Sequence, residues 1–175
     1  MSKPISSSAA LPIAHFVLRA LIVLNWLGGA AILVLLVVMP NREWIIASFH
    51  LSPSADTERL IMGMRAIAVL GLVTIPINHL ALKRLLLIVK TVRQGDPFIA
   101  ANASRLQAIA WALLALQIIS IIIGAIAKAI SSPAHPFHVS AGFSVNGWLA
   151  VLLTFLLARV FTQGTMMRED LEGTV

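Results

Sequence analysis

Polar side chains are sparse along this chain, and they fall in clusters separated by long apolar runs. The first run, Ala20 to Met39, reads ALIVLNWLGGAAILVLLVVM and carries no charge. Twenty helical residues at 1.5 Å each reach about 30 Å, the thickness of a bilayer's hydrocarbon core. Pro12 suits a first helical turn, so the helix is expected to start near it. The run is too long for a signal peptide, and no small-residue cleavage site follows it before Pro40, which predicts a retained helix. The second run lies between Arg65 and Lys83 and is interrupted by Pro76, Asn78 and His79; its helix is expected to extend both ways, from about Ala55 to Gln94. The third, Leu106 to Ala127, has only Gln107, Gln117 and Ser120 as polar side chains, and the fourth runs from about Ser144 to Gln163.

The pattern predicts an all-α fold: one integral membrane four-helix bundle over residues 1–175, with spans at about 12–39, 60–86, 105–129 and 144–163. An acidic tail, 164–175, follows the last span and holds Glu169, Asp170 and Glu172. Composition agrees. The chain is 59% hydrophobic and 11% charged, where a soluble domain is about half apolar and a quarter charged. A soluble protein this poor in charge would lack a surface, so the lipid bilayer is the first partner implied. The net charge of +6 therefore reads as membrane flanks beside anionic lipid, not as direct nucleic-acid binding. Cysteine is absent; disulfides, thiol catalysis and Cys-ligated metal centres are excluded.

Charge bias orients the spans. Lys83, Arg84, Lys90, Arg93 and Arg105 lie between spans two and three, whereas the first connection has only Arg42 and Arg59, opposed by Glu43, Asp56 and Glu58, and the third has Lys128 alone. Basic connections stay on the cytoplasmic side. Both termini are then cytoplasmic, and the location expected is the inner membrane of a bacterium. Trp44, in the first outer connection, is expected to anchor a loop or a short interfacial helix.

The stretch VRQGDPFIAANASRLQ is the most legible local motif. Gly95 fits a helix C-cap. Asp96 and Pro97 fit an N-cap and a first helical position. Helices two and three should thus project beyond the bilayer as a tight hairpin. Phe98 is expected to pack between its stems or against the tail, with Leu171 as the tail's apolar contact and Lys90, Arg93 and Arg105 facing the tail's acids.

The segments GDPFIAANASRLQAIAW and LARVFTQGTMMREDLEGTV resemble a family of small bacterial four-helix membrane proteins catalogued as a domain of unknown function, number 2975. The resemblance implies the same fold. It also implies a gene neighbour, since such proteins are often encoded beside a small Xre/Cro-type helix-turn-helix regulator. It brings no catalytic residues. The function expected is a non-enzymatic membrane regulator or sensor that binds and sequesters such a DNA-binding protein. Its partner-binding residues would be Asp96, Phe98, Asn102, Arg105, Glu169, Asp170 and Glu172. The alternative is a small transporter, channel or efflux component, and a homo-oligomeric scaffold is a further reading.

Small and polar residues recur at helical spacing within the spans: Gly63, Gly71, Thr74 and Asn78; Gln117, Ser120 and Gly124; Gly147, Ala150 and Thr154. Such faces let helices approach closely, with polar side chains bonding across the contact. Asn25, Asn78 and Gln117 are the expected intramembrane polar contacts, with Asn25 meeting Asn78. No acidic residue lies in a span, which removes the usual carboxylate relay of proton-coupled transport. Among the histidines, His135 and His138 form a weak His-x-x-His pattern. His50 lies on the same outer side, and external pH sensing by these histidines is an equal reading. His15 and His79 read as interfacial. No cofactor, metal or catalytic residue is assigned.

Overall fold

The computed structural model describes residues 7–38, 55–131 and 140–172. It contains four helices: α1 (Ser7–Val38), α2 (Ala55–Arg93), α3 (Ala100–Ile130) and α4 (Val145–Glu172). Each is long and apolar enough to cross a membrane, over Leu11–Val37, Thr57–Arg93, Ala100–Ile130 and Val145–Arg168. Trp44 and the histidines at 50, 135 and 138 lie outside the described residues, as do the side chains of Glu169, Leu171 and Glu172.

The helices pack in chain order: α1 on α2, α2 on α3, α3 on α4. Most of α1 therefore faces outward, with Phe16, Leu24 and Val34 exposed. In water that surface would cost about 25 cal/mol per Å² of apolar area; in lipid it is at home. The helix begins at Ser7, a turn and a half before Pro12. A proline this close to an N-terminus forfeits only one backbone bond, to the carbonyl four residues back.

Tight contacts fall where small residues were expected. Gly71 meets Ile32 of α1, and a Cβ on Gly29 would lie 3.1 Å from Ile75 of α2. A Cβ on Gly63 would collide with Ile130 of α3. A Cβ on Gly124 would stand 2.7 Å from the Ala141 carbonyl oxygen and the Gly142 Cα, so the chain just before α4 lies directly on α3. That approach is held by Ser120, whose hydroxyl accepts the Gly142 N–H at 3.2 Å. Gly142 itself sits at φ +134°, a region closed to side chains. Ser144 then caps α4, its Oγ accepting the Gly147 N–H at 3.2 Å.

Candidate functional site: the hairpin head

At the opposite end from Gly142, α2 stops at Arg93 and α3 starts at Ala100. The stop is a Schellman motif: the Gly95 N–H donates to the Val92 carbonyl and the Asp96 N–H to the Thr91 carbonyl, both at 3.1 Å. Gly95 takes φ +85°, as its place at the C-cap demands. The start differs from expectation. Asp96 does not cap α3; the N-cap is Ile99, with extended backbone and no side-chain cap bond. The reason lies in the fold: the Asp96 carboxylate pairs with Arg168 of α4, which is remote in sequence and adjacent in space.

What holds the hairpin closed is Asn102, the one large side chain here with no exposed surface. Its Nδ2 donates to Thr91 Oγ1 at 2.7 Å and to the Pro97 carbonyl at 2.8 Å, and its Oδ1 accepts from Arg105 Nη1 at 2.8 Å. Thr91 completes the chain by donating to the Ile88 carbonyl at 2.8 Å. One amide thus ties the last turn of α2, the connecting loop and the first turns of α3. Buried polar groups bonded this fully define a single conformation.

Beneath Asn102, Ile88 of α2, Leu106 and Ile109 of α3 and Ala158 of α4 form a buried cluster, with Phe161 packed against it. Phe98 closes the top. Its ring centroid lies 5.1 Å from that of Phe161, tilted by 34°, and Gly164 leaves the room it needs, since a Cβ there would come within 3.1 Å of the ring. Tilted aromatic pairs contribute about 0.5–1.5 kcal/mol beyond area burial. Phe98 nevertheless stays 43% exposed, so its outer face is open.

The residues expected to bind a partner therefore divide. Asp96 and Phe98 lie on the outside of the head, joined to α4. Asn102 is turned fully inward and Arg105 is spent on it, so Asn102 offers no surface to a partner and acts by holding the loop. Asp170 is exposed on the last turn of α4, and residues 164–172 continue that helix. Between the hairpin and α4 the described side chains show the pair Asp96–Arg168, with the acid on the hairpin; the expected pairing of Glu169 and Glu172 with the hairpin's bases lies outside the described side chains. Sequence reasoning missed Thr91, Phe161 and Gly164. The first carries no signal apart from lying one turn before a C-cap; the other two lie in a stretch quoted for its resemblance, without a role.

Within the spans, Asn25 makes its hydrogen bond to backbone, not to the Asn78 side chain. Its Nδ2 donates to the Ile75 carbonyl at 3.0 Å, beside Pro76, so it joins α1 to the backbone of α2. Next to it the Trp26 indole N–H donates to His79 Nδ1 at 3.2 Å. Gln117 is nine-tenths buried and pressed against Gly147 of α4, where a Cβ would collide with its Oε1. Its Nε2 is buried and makes no hydrogen bond with the described residues.

Fold and site together define a multi-pass helical membrane protein with a rigid polar head at one end, built from a helical hairpin and the last helix. The chain belongs to the family described as "Protein of unknown function (DUF2975)", which matches residues 50–175 and so takes in α2, α3, α4 and the whole head. No curated protein and no solved structure matches the chain.

Proposed function

We propose that this protein is a non-enzymatic membrane regulator whose head is cytoplasmic and captures a small helix-turn-helix DNA-binding protein, keeping it from DNA. The observation that carries this reading is the architecture of the head. The loop 94–99 is fixed by the buried Asn102 and clamped to α4 through Asp96–Arg168 and Phe98–Phe161, while Phe98 on the loop and Met167 and Asp170 on α4 remain exposed and Asp96 is half-exposed. A rigid scaffold presenting aromatic, Met and acidic side chains is what a protein-binding surface requires: apolar anchors framed by charge. The gene neighbour implied by the family resemblance, a small helix-turn-helix regulator, is the partner this reading takes.

The cytoplasmic side follows from charge. Lys83, Arg84, Lys90, Arg93, Arg105, Arg159 and Arg168 all belong to the head end of the helices, whereas Arg59, Arg65 and Lys128 belong to the other. The larger basic share is expected inside, which supports a cytoplasmic head with both termini on that side; the inner membrane of a bacterium is the location this reading takes.

The test is cross-linking and recovery from native membranes. Three chains would be compared: the wild type, one ending at Gly164, and Asp96→Ala/Phe98→Ala. Recovery of a small DNA-binding protein with the wild type alone is the expected result. Recovery independent of the head, or of no DNA-binding protein at all, overturns the proposal.

A further inference from the structure

Below the head, on the outward side of the α3–α4 seam, lies a groove of about 680 Å³ lined by Gln107, Phe155, Ala158, Arg159, Thr162, Gln163 and Met166. Its chemistry is graded along the helix axes. Arg159, Gln163 and Gln107 lie toward the head. One turn deeper on each helix are Phe155 and Trp111, in a T-shaped contact with ring centroids 5.3 Å apart. Gln107 and Trp111 are four residues apart on α3, as are Phe155, Arg159 and Gln163 on α4, so each set shares a helix face.

Arg159 stands in the middle of the apolar helix α4. No side chain among the described residues pairs with it or bonds it, and Gln107 and Gln163 likewise make no hydrogen bond with the described residues. Thr162 is committed to the Ala158 carbonyl at 3.0 Å. The groove therefore offers one unpaired guanidinium and two amides converging at its polar end, above an aromatic wall. A guanidinium binds phosphate bidentately, amide N–H groups supply further donors, and the Trp111–Phe155 wall suits a hydrocarbon chain.

We propose that this groove binds a phosphate-bearing amphiphile, specifically an anionic phospholipid of the head-side leaflet. Its phosphodiester lies against Arg159 between Gln107 and Gln163, and one acyl chain runs along Phe155 and Trp111. Polar end, cation and aromatic wall follow in the order in which a lipid presents headgroup, glycerol and tail. Because Phe161 and Gly164 of the same helix carry Phe98, the lipid would rest directly under the head without being part of it.

The experiment uses the full chain reconstituted in nanodiscs of phosphatidylcholine with or without phosphatidylglycerol, followed by gentle detergent release and native mass spectrometry. The wild type is expected to retain phosphatidylglycerol and not phosphatidylcholine. Arg159→Gln should lower its retention about tenfold, the scale of one lost charge-assisted contact. Lys90→Gln, which removes equal charge on α2, should leave retention unchanged. Helical circular dichroism confirms that each variant is folded; Arg159 is exposed, so its replacement disturbs no packing. Wild-type retention by Arg159→Gln, or equal loss with Lys90→Gln, overturns the site. Release of the lipid by millimolar inorganic phosphate would assign the groove to a soluble anion and overturn the lipid.

Discussion

Replacing Asn102 by leucine removes the central tie of the head while nearly preserving volume. The side chain makes three hydrogen bonds, two as donor to Thr91 Oγ1 and the Pro97 carbonyl, and one as acceptor from the Arg105 guanidinium. A neutral bond is worth about 0.5–1.5 kcal/mol net and one to a charged group about 1.5–3. The sum is an upper bound, because Arg105 is only half-buried and regains water when released. Thr91 and Pro97 recover less, lying where the leucine would sit. A loss of about 2–4 kcal/mol is expected, or about 30- to 1000-fold in the equilibrium for opening the loop. Hydrogen exchange in nanodiscs reads this directly. The amides of Gly95 and Asp96 report the Schellman motif, and both should lose protection by that factor while α1 amides do not change. Arg168→Ala serves as comparison. It breaks an ion pair whose side chains are 46% and 47% exposed, which is worth about 0–1 kcal/mol. Protection in Asn102→Leu within threefold of the wild type, or a larger effect from Arg168→Ala, would refute the reasoning that the buried amide governs the head.

Gly147→Ala should destabilise α3–α4 packing by about 1–3 kcal/mol, through overpacking on Gln117, and Gln117→Ala in the same chain should restore folded yield in detergent; failure of the second change to rescue would remove Gln117 as the cause. Gly124→Leu should abolish folded protein, since the side chain would meet backbone, while Gly71→Leu, facing only Ile32 Cδ1 at 3.4 Å, should cost less; equal yields would contradict the difference in space. Phe98→Ala should raise exchange of the α4 amides near Phe161 and Gly164 more than Lys90→Ala does, because an aromatic contact is lost in one and an exposed charge in the other. Single cysteines introduced at Ser52 and Ser132 should label from outside intact cells and those at Gln94 and Thr174 should not; the reverse pattern overturns the orientation and with it the access of the head to a cytoplasmic partner.

The four helices were legible in the sequence because a bilayer leaves few ways to satisfy a backbone, and apolar length alone marks a span. The second helix was read from about Ala55 to Gln94 although its apolar core is short, and it runs Ala55–Arg93; Gly95 stopped it for a reason that is local. Small residues at helical spacing also spoke clearly, as at Gly71, Gly124 and Gly147, since close approach has no substitute. The order of packing did not. Hydropathy says which residues avoid water, not which helix is a neighbour, so nothing in the pattern showed that, of the described helices, α1 packs on α2. Asn25 was expected to find Asn78, one polar side chain seeking another, but the Ile75 carbonyl lay within reach beside Pro76.

The head shows where local reading stops. Asp96-Pro97 has the chemistry of an N-cap, and an isolated peptide would use it so. Here Arg168, far along the chain, competes for the same carboxylate, and the helix starts at Ala100 instead. Asn102 shows the same limit from the other side. A polar residue in a distinctive exposed-looking loop reads as a binding residue, whereas its burial depends on Thr91 one helix back and on a carbonyl at Pro97 that only the extended path of 96–99 brings near. A side chain that forms a surface and a side chain that holds the surface in place look alike in sequence. They separate only in the response to substitution: removing Phe98 should weaken a partner's grip while the Gly95 and Asp96 amides stay protected, and removing Asn102 should weaken both together.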